Sequence, residues 1–114
     1  MSLTVLHEAE VELWEAVAYF ESRQTGLGLD LLQEVETSIE TIQNAPARWR
    51  LRQDGTRRYL TPKFPYLIVY LLEKEHIWIV AIAHYKRQPQ YWEKRKGIAE
   101  QKSRADAVKP RRTD

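Results

Sequence analysis

Tyr66-Leu67-Ile68-Val69-Tyr70-Leu71-Leu72, a polar break at Glu73 to His76, and then Ile77-Trp78-Ile79-Val80-Ala81-Ile82-Ala83-His84-Tyr85 decide the fold. Both apolar runs are rich in β-branched and aromatic residues, which suit a pleated, packed surface. Leu67 to Leu72 is apolar at every position, so both faces of that strand should be covered. The break at 73–76 has the length of a hairpin loop, with no Asn-Gly or Asp-Gly pair to fix its turn. Tyr66 to Leu72 and His76 to Tyr85 read as central strands of a small sheet, sheltered by helices on one face.

Upstream, Arg57 to Thr61 reads as a further strand. Pro62-Lys63-Phe64-Pro65 is a loop, because two prolines cannot both serve a central ladder. Gln53-Asp54-Gly55-Thr56 is a turn. Arg48-Trp49-Arg50-Leu51-Arg52 alternates basic and apolar residues, as a half-buried strand or an extended segment would. Before that lie two helical stripes. Ala9, Leu13, Ala16, Val17 and Phe20 form the first, over Glu8 to about Arg23. Leu31, Leu32, Val35, Ile39 and Ile42 form the second, over Gly28 to Asn44, which Ala45-Pro46 stops. Gln24 to Gly28 joins them, too short for anything but an antiparallel hairpin. Trp14 widens the first stripe as a core or partner-facing edge. Met1 to Leu6 fits a short edge strand. Leu13, Val17, Val35, Ile39, Ile68, Tyr70, Ile79 and Ala81 are expected to share one core.

Downstream, Gln88 to Lys96 is expected to turn into a short helix, with Tyr91 and Trp92 packing back on the sheet. From Gly97 the chain is polar and basic without apolar periodicity. The expected division is one domain over 1–96 and a flexible basic tail over 97–114, disordered from Lys102. The class is α+β: a helical hairpin on a small antiparallel sheet of three or four strands.

With 114 residues, 43% of them hydrophobic, the chain has enough for one compact core. Cysteine is absent, which excludes disulfides and thiolate metal sites. Three scattered histidines give no metal-ligand spacing, and His7 and His76 read as exposed loop or cap residues. No glycine-rich phosphate loop is present. No cofactor is implied. Met1 to Leu6 lacks the features of a secretion signal, and no apolar stretch is long enough to span a bilayer, so a soluble cytoplasmic protein is expected.

The net charge of +2 hides an asymmetry. Residues 7–45 hold nine acids and one base, a balance of −8. Residues 46–92 hold nine bases and three acids, a balance of +6, and residues 93–114 carry +4. The acids solvate helix surfaces. The basic half attracts phosphates or an acidic partner.

A basic strand, then Phe64-Pro65-Tyr66-x-Ile68-x-Tyr70, then an apolar strand ending Ala81-x-Ala83-His84, then Arg87-x-Pro89-x-Tyr91-Trp92: this order resembles the RelE/ParE superfamily of type II toxin–antitoxin toxins. Ala9-Glu10 opening a helix and Asn44-Ala45-Pro46 closing another are similar too. The resemblance spans residues 5–95 and implies a cognate antitoxin as partner, in a toxin–antitoxin hetero-oligomer or beside a homodimer. It leaves the branches open.

One branch cuts messenger RNA on the ribosome. Cleavage by a 2′-hydroxyl needs a base, cations for the developing phosphorane charge, and an acid for the leaving oxygen. His84, Arg87 and Tyr91 are the candidates here. His84 leads because imidazole titrates near neutral pH; otherwise it is a strand-end histidine bonded to backbone. Leu67 stands where the cutting members often carry Arg, and it cannot stabilise a phosphate. The ParE-like branch binds and stalls DNA gyrase, which needs no acid–base set, and is the preferred expectation. A non-toxic interaction module is the remaining alternative. Arg48, Trp49, Arg50, Arg52, Arg57, Arg58 and Lys63 are the candidate binding residues, for an acidic antitoxin segment or for nucleic acid.

Overall fold

The computed structural model describes residues 1–86, 92 and 94–99. Its elements are β1 (Ser2–Val5), α1 (His7–Arg23), α2 (Leu27–Asn44), β2 (Arg57–Leu60), β3 (Tyr66–Glu73) and β4 (His76–His84), followed by a helical segment at 94–99. The four strands form one sheet in the order β1-β4-β3-β2. The class is the expected α+β, but the sheet is mixed. β2, β3 and β4 are antiparallel neighbours, whereas β1 runs parallel to β4, with Ser2 opposite His76 and Val5 opposite Ile79.

Arg48 to Arg52 is not a strand. The turn that follows hydrogen-bonds back on it, with Arg52 N–H donating to Thr56 O at 2.9 Å and Gly55 N–H to Arg52 O at 2.9 Å. The backbone is used in this local loop instead of a ladder. The hairpin between β3 and β4 is tighter than the polar break implies. Only Lys74 and Glu75 form it, both in the left-handed region (φ 51° and 61°), the conformation of a two-residue turn that follows strand twist. His76 opens β4, as the strand expected over His76 to Tyr85 has it, and is not an exposed loop residue. Its ring nitrogens lie 2.6 Å from Ser2 Oγ and 2.7 Å from Thr4 Oγ1, tying β1 to its neighbour.

The helical hairpin closes at Gln24 to Gly28. The Glu21 carboxylate accepts from Gly26 N–H at 2.9 Å and Gly28 N–H at 3.0 Å, satisfying donors at the start of α2. Gly28 lets the helices approach closely: a Cβ there would lie 2.5 Å from Val17 O.

Each sheet face carries its own apolar cluster. Ala9, Ala16, Leu31, Val35 and Ile42 of the helices bury Ile68, Tyr70, Ile77, Ile79 and Ile82 on one face. Leu6, Val69, Leu71, Trp78, Val80, Ala81 and Ala83 lie on the other, under Trp92 and Ala99. Seven of the eight expected core residues belong to the helix-facing cluster or pack against it. Ala81 does not. Val69 pairs with Ala81 and Tyr70 with Ile79, so Val80 is an extra residue and the register shifts there. This bulge turns Val80 and Ala81 to the same face. Trp92 packs back on the sheet as expected, and the packing reaches Ala99. Tyr91 and the stretch from 100 onward lie outside the described residues.

Candidate functional site

The basic flank is built by the loop between α2 and β2. Arg57 Nη1 donates to Trp49 O at 2.6 Å and Ala47 O at 3.2 Å, clamping the loop from the first residue of β2. The Trp49 ring meets Tyr59 edge-on, with centroids 5.0 Å apart, and Arg48 stacks over it at 5.6 Å. Arg58, one residue along the strand, points to the opposite face. Its Nη2 donates to Asp54 Oδ2 at 3.2 Å, and its guanidinium lies 5.1 Å from the Trp92 ring centre. Lys96 Nζ adds a 2.6 Å bond to Asp54 O. Burial pushes the Asp54 carboxyl up, but the hydroxyl and N–H of Thr56 and the Arg58 guanidinium outweigh it and hold it below its ordinary range.

The seven candidate binding residues thus divide. Arg57 and Arg58 are half-buried and engaged within the fold. Arg48, Arg50, Arg52 and Lys63 are exposed, and Trp49 is half-buried. Beside this flank, a groove of about 640 Å³ runs between α2 and the β2–β3 loop. Leu27, Glu34, Tyr59, Lys63 and Phe64 line it. Glu34 fixes its rim by accepting from the N–H groups of Lys63 and Phe64, each at 2.8 Å. Leu51 at 60% exposed and Leu60 at 58% are the large exposed apolar side chains of this stretch, Leu60 on the sheet face opposite Tyr59.

The second region lies at the far end of β4. His84 is half-buried, and its Nδ1 accepts from Lys86 N–H at 3.2 Å. The Tyr66 ring meets it edge-on at 5.8 Å. His84 opens on a cleft of about 220 Å³ whose other wall is α1. Glu12, Glu15, Ala16 and Tyr19 form that wall, with Tyr66 and Ile82 beneath. Burial, and then the neighbouring Tyr19, push the Tyr66 hydroxyl above its ordinary range. Glu12 Oε1 accepts from Arg95 Nη1 at 2.8 Å and from Ile82 N–H at 3.0 Å. Arg87 and Tyr91, the other two members of the candidate catalytic set, lie outside the described residues.

The cleft beside His84 is thus lined by carboxylates, phenols and apolar groups, with Glu12 paired to Arg95. Such a lining, with Glu15 unpaired among the described residues, suits a cation better than a phosphodiester. Sequence reasoning missed these groups. Their signal was the spacing of Glu12, Glu15 and Tyr19, which places them on one side of α1 beside its apolar stripe. Among the described residues, no group of three His, Cys, Asp or Glu could hold a metal ion. No described helix is long and apolar enough to cross a membrane.

No curated protein matches this sequence. Among solved structures, one from the chromosomal ParDE toxin–antitoxin system of P. aeruginosa superposes with a TM-score of 0.65 at 18% identity. The match covers 74% of this chain and 95% of that one, and the likeness is one of fold. The family described as the ParE toxin of the type II toxin–antitoxin system parDE matches residues 4–89, from β1 through β4 and past His84. The chain belongs to the ParE toxin family.

Proposed function

We propose that this chain acts by binding and stalling DNA gyrase, and that a cognate antitoxin neutralises it. The family match over 4–89 carries the reading. Two features of the site support it over cutting of messenger RNA. His84 faces Glu15, Tyr19, Tyr66 and a Glu12 already paired with Arg95, a lining that, among the described residues, supplies no cation of its own for a scissile phosphate. Leu67, at the position where cutting relatives often carry Arg, packs half-buried against the apolar cluster on the second sheet face.

The antitoxin is proposed to lie along the groove beside α2 and the flank of Arg48, Arg50, Arg52 and Lys63. A segment with apolar anchors and acidic residues fits that surface: the anchors meet Leu27, Tyr59 and Phe64, and the acids meet the exposed cations. The assembly is then a toxin–antitoxin hetero-oligomer, and the place of action is the cytoplasm, where the gyrase–DNA complex is reached. The test is induced expression with and without the neighbouring gene product, read by DNA-damage signalling and by mapping of transcript ends. The reading requires damage signalling, intact transcripts and rescue by the neighbouring protein. Transcripts cut at ribosomal A-site codons would overturn it in favour of the ribosome and messenger RNA.

A further inference from the structure

The cleft at the end of β4 has the composition of a receptor for one cationic side chain. Its α1 wall places Glu12, Glu15 and Tyr19 in a row, and its floor brings in Tyr66 and His84. Glu12 already holds a guanidinium, that of Arg95, at 2.8 Å. Glu15, one turn along the same wall, is exposed and has no ion pair among the described residues. Tyr66 and His84 cross at 75°; Tyr85 lies beside the His84 ring at 32°, and Arg23 already lies over the Tyr19 ring at 5.6 Å, the same kind of contact that a further cation would make. A planar cation can lie against such rings while its edge meets a carboxylate. The cleft's volume of about 220 Å³ is that of one side chain, not of a nucleotide.

We propose that this cleft binds an arginine side chain presented by a protein partner, with Glu15 as its ion-pair acceptor and Tyr19, Tyr66 and His84 as its aromatic walls. Arginine fits better than lysine because its fork pairs with a carboxylate in two places while its flat face stacks. The site lies at the end of β4, apart from the groove beside α2. It stands independently of the gyrase reading, since the isolated chain suffices to test it.

The test titrates N-acetyl-arginine amide into the full-length protein and follows the Tyr19, Tyr66 and His84 side chains by NMR. N-acetyl-citrulline amide serves as the neutral control of the same shape, and N-acetyl-lysine amide as the unforked cation. Saturable shifts confined to these rings are expected, with dissociation constants on the order of millimolar for so small a ligand. Glu15→Gln, an exposed and conservative change, should weaken binding about tenfold, while the melting temperature stays unchanged. Shifts spread along the acidic helices without saturation, or equal shifts with the citrulline compound, would overturn the proposal. Equal binding of the lysine compound would overturn the choice of arginine. Binding seen only in Arg87→Gln would show that the chain fills its own cleft, and would overturn the assignment to a partner.

Discussion

Two single residues carry the most local consequence. Gly28 has no alternative at its position, because a Cβ would meet the backbone carbonyl of Val17 at 2.5 Å, and backbone cannot rotate away. Gly28→Ala should cost about 1–3 kcal/mol by forcing the helices apart, which a thermal melt would show as a drop of several degrees. Tyr70 is fully buried, and its hydroxyl donates to Pro46 O at 2.6 Å, closing the end of α2 against β3. Burial pushes this hydroxyl from its ordinary 10.0 up to about 12, the Arg57 charge opposing. The folded state thus holds the proton more tightly than the unfolded state. The contribution is fully present below pH 10 and is lost as pH rises from 10 toward 12. Denaturant titrations across that window should show wild-type stability falling by on the order of 2–3 kcal/mol. Tyr70→Phe should be less stable near neutrality by about 1–2 kcal/mol and should lack this alkaline fall. At acid pH the sign reverses for Asp54. Its lowered carboxyl stabilises the fold above its ordinary value of 3.8, and that contribution is lost as pH falls through the folded value.

The elements were largely legible in the sequence where one periodicity ran without interruption. Both helical stripes, the two long strands and the stop at Ala45-Pro46 fall where the pattern of residues put them. The pattern failed where a single residue changed the count. Alternation along β4 would send Ala81 toward the helices, but the extra residue Val80 reverses it, and nothing in a run of Ile, Val and Ala marks a bulge. Arg48 to Arg52 alternates like a strand, yet the Arg57 guanidinium and the turn at 53–56 take its backbone into a loop. The parallel pairing of β1 is equally hidden, because four residues carry no signal of direction. The cover of the second sheet face was readable only through Trp92. That residue is 1% exposed and sits among Val69, Leu71, Trp78 and Val80. Trp92→Ala should therefore cost about 3–5 kcal/mol, measured by chemical denaturation. A loss below 1 kcal/mol would mean that the 92–99 segment does not seal this face.

At the scale of the whole molecule, charge and shape divide the surface into parts with different partners. The acidic helices and the basic 46–92 region were visible as a balance of −8 against +6. Which cations remain available was not, because Arg57 and Arg58 look no different in sequence from Arg50 and Arg52. The exposed four, Arg48, Arg50, Arg52 and Lys63, should govern the association rate with an acidic antitoxin. Raising salt from 50 to 500 mM should slow association by about tenfold or more while changing dissociation little, and Arg50→Ala with Arg52→Ala should flatten that dependence. Surface plasmon resonance with the neighbouring gene product would show it. The proposed mode of action, binding of gyrase, needs no proton transfer. The measurement closest to it is supercoiling by purified gyrase with the wild-type chain or with His84→Ala, run beside a ribosome-dependent messenger RNA cleavage assay. Both proteins are expected to inhibit supercoiling, and neither to cut RNA. Cleavage by the wild type that falls roughly 10²–10⁴-fold in His84→Ala, with supercoiling untouched, would contradict it.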